Sequence, residues 1–223
     1  MIGEILPPGV QYADSRTDLT HEPLHPDEER HIALSVATRR REFTTTRTCA
    51  RRALSRLGVP SVPILPGPRG APRWPAGIVG SMTHCVGYRA AAVAHAADAL
   101  TIGIDAEPNE PLPDGVLEAI ASPQEAATVH ALGRARTGVC WDRLLFSAKE
   151  SVYKAWFPLT ARFLTFEDAT VTWDAPSDAR QATTGTFHAE LLVEGPWPTG
   201  RRLPGRWTVH GGLLCTSVVL PPL

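Results

Sequence analysis

The chain has 223 residues with 22 basic and 23 acidic side chains, a formal net charge of -1, so no whole-molecule field draws it to nucleic acid or to an anionic membrane, and any anion must be gripped by a local cluster. Cys49, Cys85, Cys140 and Cys215 are scattered, with no C-x-x-C pair and no paired spacing with histidine, which argues against a structural zinc site or a disulfide framework and fits reduced thiols in a cytoplasmic protein. The opening residues lack a basic stretch followed by an apolar one, and the most apolar stretch, 90–104, is interrupted by His95 and Asp98, so neither an export signal nor a membrane span is expected.

Residues 1–25 mix short apolar pieces with Pro7, Pro8 and Pro23 and read as an extended entry. Pro26 followed by Asp27, Glu28 and Glu29 starts a helix, because proline fits the first turn and acidic side chains favour the positive end of the helix dipole. Two helices are predicted, 27–40 and 43–57, ending at Gly58 and rich in arginine. Arg47 and Arg51, one turn apart, could grip a phosphate together, the alternative being a solvated helix face. Residues 59–77 carry six prolines and three glycines, which predicts a shaped loop with at most a short strand near 62–65 and Arg69 at its turn. Strands follow at 78–83 and 88–94, the first closing on G-S-M-T-H at 80–84. His84 there is either a buried structural histidine or a phosphate donor beside the Ser81 and Thr83 hydroxyls. The G-x-x-x-x-G-K phosphate loop is absent.

The segment 101–107, T-I-G-I-D-A-E, alternates cleanly. Ile102, Ile104 and Ala106 point one way, and Gly103, Asp105 and Glu107 the other. Two carboxylates on one strand face can meet a single hard cation, though a solvated face is the common alternative. Gly103 beneath them leaves room for a ligand or a backbone to approach. Residues 108–113 read as a linker, followed by short helices at 114–121 and 123–132 and a long helix from about 139 to 157. The remainder predicts strands at 170–174, 186–193, 205–210 and 213–220, the last two joined by a tight turn at Gly211 and Gly212.

The long helix holds both lysines of a chain with 20 arginines, Lys149 and Lys154, on either side of Glu150. An ammonium is a compact point charge with three rotatable donors, unlike the planar guanidinium fork. At about 100° per residue, Trp141, Leu144, Leu145, Ala148, Val152, Ala155 and Trp156 form an apolar stripe, while Arg143, Ser147, Glu150 and Lys154 form a narrow band opposite. Phe146, Tyr153 and Phe157 flank that band. Exposed, they would leave a sizeable apolar patch in water, so the band is expected to line a cleft.

Three motifs, G-S-M-T-H at 80–84, G-I-D-A-E at 103–107 and F-S-A-K-E-S-V-Y-K at 146–154, stand in an order and at spacings that resemble the larger, single-chain 4'-phosphopantetheinyl transferases of polyketide, nonribosomal-peptide and siderophore synthesis. The resemblance implies an α+β fold of two similar α/β halves in one chain, here 1–108 and 109–223, with the active site between them. It implies coenzyme A as donor, Mg²⁺, and a serine on an apo acyl or peptidyl carrier protein as acceptor, with adenosine 3',5'-bisphosphate released. Carried over by motif, Asp105, Glu107 and Glu150 would ligate the metal, and Glu150, Lys154 and Asp105 would form the catalytic group. Arg39, Arg47, Arg69, Thr83, His84, Lys149, Tyr153 and Lys154 would contact coenzyme A, with Phe157 and Phe163 on the pantetheine wall. Lys149 points about 100° away from Lys154, so its other reading is to hold the helix edge or the carrier protein. A monomer is expected, with no membrane or nucleic-acid partner. Two other functions stay compatible with these residues: a magnesium-dependent hydrolase of nucleotide pyrophosphates, and a noncatalytic module that docks carrier domains through its arginine helices.

Overall fold

Proline at the first helical position and glutamate at the third start a helix twice in this chain. The first is α1 (Pro26–Ile32), capped at His25; the other begins at Ser122. In each, the glutamate turns back to accept the backbone N–H of the cap residue, His25 to Glu28 at 3.0 Å and Ser122 to Glu125 at 2.8 Å. The computed structural model describes residues 1–19, 22–174, 183–196 and 201–222.

After α1 come the long arginine-rich α2 (Ala37–Arg56) and the strands β2 (Ile78–Cys85), β3 (Tyr88–His95) and β4 (Thr101–Pro108). The second half holds α3 (Val116–Ile120), α4 (Pro123–Ala135), α5 (Trp141–Thr160), β5 (Ala169–Trp173), β6 (Thr184–Leu191), β7 (Arg202–His210) and β8 (Leu213–Leu220). Gly211 and Gly212, both at positive φ, make the turn between the last two strands. The opening segment is less simple than an extended entry. It contains a 3-10 turn at Ile2–Ile5 and a strand, β1 (Gln11–Ser15), that pairs with β3. The short strand expected near 62–65 does not form; the proline-rich loop is closed by an isolated bridge between Pro66 and Pro72.

The strands form two antiparallel sheets, ordered β1-β3-β2 and β4-β8-β7-β6-β5. Alternation along β3 sends Ala91 and Val93 into a cluster with Cys49, Ala50, Ala53 and Leu54 of α2, and Tyr88, Ala90 and Ala92 into a second cluster with Ile102, Ile104 and Ala106 of β4. The opposite face of β4 meets α5, whose predicted apolar stripe is buried against the second sheet. Among the described residues, the two sheets share no backbone ladder. Instead, the Ile104 and Ala106 N–H groups on the free edge of β4 donate to the Ser81 and Thr83 hydroxyls of β2, each at 3.1 Å. Among the described residues, no helix is long and apolar enough to cross a membrane.

Candidate active site

The site is built where α5 crosses β4. A Cβ on Gly103 would lie 1.9 Å from the Ser151 carbonyl oxygen, so the room that glycine leaves is taken by the helix backbone itself. On the neighbouring strand, Thr216, paired with Asp105 in the register of β8, donates to the Ser147 carbonyl at 2.9 Å. It also shares hydrogen bonds with the Ser147 and Ser151 hydroxyls, at 2.9 and 2.5 Å. Ser147 is therefore fully buried, and only part of the predicted polar band reaches a cleft. The anchoring fixes the rotation of α5, and Lys154 comes to rest with Nζ donating to Asp105 Oδ1 at 2.6 Å.

Asp105 is the hub of an acidic trio. Its Oδ1 also accepts from the Thr83 hydroxyl at 3.2 Å, while its Oδ2 is buried with no hydrogen-bond partner among the described residues. Burial, then the Asp105 charge, pushes the Glu107 carboxyl up. Glu150 is pushed up by burial as well, with Asp105 adding to the shift and Lys154 opposing it. Among the described residues, no three ligating side chains converge on one point; Lys154 donates to Asp105 at 2.6 Å and Arg143 to Glu107 at 3.2 Å. A buried carboxylate oxygen with no partner among the described residues, near two carboxyls that burial makes harder to ionise, fits a hard divalent cation bound through oxygen. Burial, then Glu107 and Asp105, raises the nearby Cys85 thiol to about 12, so it contributes no thiolate.

A second cluster is basic. Arg39 donates to His84 Nε2 at 2.8 Å, and Glu42 lies 3.6 Å from His84 Nδ1. Burial lowers the pKa of His84; Glu42 opposes the shift, while Arg39, Lys154 and Arg89 reinforce it. Arg47 is buried, with Nε donating to the Ile64 carbonyl at 3.1 Å and its guanidinium 3.8 Å from the centre of the Phe43 ring. Desolvation lowers its pKa to about 10. Arg51 does not join it as a phosphate clamp, since both oxygens of Glu28 occupy its Nη1, at 2.8 and 3.1 Å.

Beside Glu150 and Lys154 opens a cavity of about 660 Å³, lined also by Arg69, Trp74, Ser81 and Tyr153, a size suited to a small organic ligand. Phe157 forms part of its apolar wall. Arg69, at φ 52° on the tip of the proline-rich loop, lies 4.8 Å over the ring of Phe163, which stacks edge-on against Tyr153.

Two residues expected among the coenzyme contacts are committed elsewhere. Lys149 is buried, and its ammonium donates to the Ile120 carbonyl at 2.8 Å, Glu125 at 3.0 Å and the Phe166 carbonyl at 2.7 Å, which uses all three donors. Its place is thus the interior, as in the alternative reading of a helix-edge support. Thr83 supports Asp105 and the Ala106 N–H. The sequence alone does not single out Glu42, although it lies three residues after Arg39 on the same helix face.

Two family models match the chain, the 4'-phosphopantetheinyl transferase N-terminal domain over residues 27–94 and the 4'-phosphopantetheinyl transferase superfamily over residues 101–200. The chain is 51% identical to the 4'-phosphopantetheinyl transferase Svp of Streptomyces mobaraensis, over 99% of its own length and 89% of that relative. It is 48% identical to Npt of Nocardia iowensis, over 98% and 99% of the two chains, and 46% identical to PptT of Mycobacterium tuberculosis, over 99% and 98%. Both of these relatives also carry the name 4'-phosphopantetheinyl transferase.

Proposed function

The chain belongs to the 4'-phosphopantetheinyl transferase superfamily, and on that premise we propose that it transfers the phosphopantetheine group of coenzyme A to a serine hydroxyl of an apo acyl or peptidyl carrier protein, with Mg²⁺ held by Asp105, Glu107 and Glu150. The observation that carries this reading is the unpartnered, buried Oδ2 of Asp105 beside the Lys154 ammonium. An acceptor-rich point and a cation at the mouth of an apolar cavity suit a ligand with a pyrophosphate at one end and a thiol-tipped arm at the other.

The serine oxygen forms a bond to the β-phosphorus as the bond from that phosphorus to the bridging oxygen breaks, and adenosine 3',5'-bisphosphate leaves. When bound, the divalent cation neutralises charge on the phosphoryl oxygens. Lys154 is placed to follow that charge, exchanging its bond to Asp105 for a phosphoryl oxygen. The serine proton passes to Glu150, directly or through one water; burial makes its carboxylate more basic than an exposed one. Arg39 and His84 grip the 3'-phosphate, while Arg47 holds the Ile64 carbonyl and with it the start of the proline-rich loop. Tyr153, Phe157 and Phe163 wall the pantetheine arm, with Arg69 closing over Phe163. The enzyme acts on carriers of polyketide, nonribosomal-peptide or siderophore synthesis, as a cytoplasmic monomer.

Mass spectrometry of apo carriers from each of these classes, incubated with the enzyme, coenzyme A and Mg²⁺, tests the reading. One phosphopantetheine added per carrier is the expected product. Coenzyme A cleaved equally fast without a carrier would replace transfer by hydrolysis, and an unchanged carrier with intact coenzyme A would leave only docking.

A further inference from the structure

Arg143 lies seven residues before Glu150 on the same flank of α5, and three acceptors surround its guanidinium. Nη1 donates to Glu107 Oε2 at 3.2 Å, Nε to the Glu110 carbonyl at 3.2 Å and Nη2 to the Pro111 carbonyl at 2.9 Å. The pair with Glu107 is largely shielded, with the two side chains 18% and 20% exposed. The bond engages Oε2 of Glu107.

The segment beyond β4 has fastenings to the start of α5 that do not involve Arg143. The Leu112 N–H donates to Asp142 Oδ2 at 2.7 Å, and the Asn109 side chain donates to the Gly138 carbonyl at 3.0 Å and accepts the Cys140 N–H at 2.9 Å. What Arg143 adds is the hold on Glu107, a partly exposed carboxylate two residues along β4 from Asp105. A planar fork can grip a carboxylate and two carbonyls at once, which an ammonium on a flexible stem cannot do in the same geometry.

We propose that Arg143 is a positioning residue for the divalent cation, holding the Glu107 carboxylate by its Oε2 on the strand it shares with Asp105, so that the ion does not have to order that side chain itself. The inference rests on the reading that the acidic trio binds such an ion.

Mn²⁺ titrated into the full chain, with and without coenzyme A and followed by electron paramagnetic resonance, tests both. Arg143→Gln weakens Mn²⁺ binding by about tenfold or more, whereas Asp142→Asn, which loosens the same segment without touching Glu107, stays within about twofold of the unsubstituted protein. Half-saturating Mg²⁺ in the transfer assay rises by the same factor, and kcat at saturating Mg²⁺ changes far less. Arg143→Lys, which keeps the charge but loses the fork, gives an intermediate loss and serves if the glutamine variant fails to fold. Mn²⁺ affinity unchanged in a folded Arg143 variant overturns the inference, as does an equal loss in Asp142→Asn. A wild-type protein that binds no Mn²⁺ in either condition overturns the cation reading itself.

Discussion

Arg51 and Lys149 occupy equivalent places in the two halves. Each projects from a long helix onto Oε2 of a helix-starting glutamate, Arg51 onto Glu28 at 2.8 Å and Lys149 onto Glu125 at 3.0 Å. Oε1 of each glutamate takes a backbone N–H from the chain beyond that helix, Ile64 and Val171, both at 2.8 Å. The same staple therefore ties a short helix, a long helix and a following segment twice over.

Removing one partner of such a buried pair strands the other. Lys149→Met is expected to cost about 3–5 kcal/mol of unfolding free energy, read from urea titration. In the fraction that folds, KM for coenzyme A stays near the unsubstituted value; a large rise in KM without loss of stability would return Lys149 to the coenzyme-binding set.

Glu150→Gln separates stability from activity. Its carboxyl is raised in the fold by burial, against the opposing pull of Lys154 and with Asp105 adding to the rise, so the folded state holds this proton more tightly than the unfolded chain. The stability from that proton is complete below the unfolded pKa and is lost as pH rises through the folded one. At neutral pH the metal-free protein bears the cost of this buried charge, and glutamine removes it. Transfer falls by about a hundredfold or more while the metal-free melting temperature holds or rises by about 2 °C, readable by calorimetry.

Cation affinity follows the same carboxyls. Glu107 and Glu150 are both raised, so protons compete with the ion above the usual carboxylate range of about pH 4. Mn²⁺ binding is expected to strengthen steadily as pH climbs from that range toward neutrality, and a flat profile would contradict the ligand set.

Arg39 and His84 are testable with the coenzyme itself. Arg39→Ala raises KM for coenzyme A by about tenfold, the value of one charge-assisted bond. With 3'-dephospho-coenzyme A the variant and the parent should converge. Should the penalty persist on the dephosphorylated substrate, Arg39 acts elsewhere.

Gly103→Ala probes the helix crossing. A methyl group 1.9 Å from the Ser151 carbonyl has no flexible side chain to displace, so α5 must lift from β4. The expected cost is about 1–3 kcal/mol in stability, accompanied by a fall in transfer rate larger than that of Gly133→Ala, where a Cβ meets nothing.

What the sequence shows of this site is what periodicity can carry. Alternation across 101–107 already turns Asp105 and Glu107 away from Ile102 and Ile104, and helical spacing already groups Glu150 with Lys154. What it hides depends on partners far along the chain. Nothing near Lys149 announces that the Ile120 and Phe166 carbonyls turn inward to meet it. The strand Gln11–Ser15 escapes notice because it is short and partly polar, and earns its place only by pairing with β3. The strand expected near 62–65 fails because Pro63 and Pro66 offer no N–H to a ladder. The repeated start, H-P-D-E and S-P-Q-E, stands in plain view, yet its meaning as a duplicated staple emerges only with the bonds to Ile64 and Val171.

Strand β4 precedes the 109–113 segment yet forms the edge of a sheet whose other strands all follow that segment, while its hydrogen bonds to β2 run through the Ser81 and Thr83 hydroxyls. A cut in the 109–113 segment would therefore yield two polypeptides, one displaying an unclaimed strand and the other a sheet missing its edge. Such fragments would reconstitute through β4 and β8, which makes this junction a natural place to split the protein into a complementation reporter whose signal is transfer activity itself.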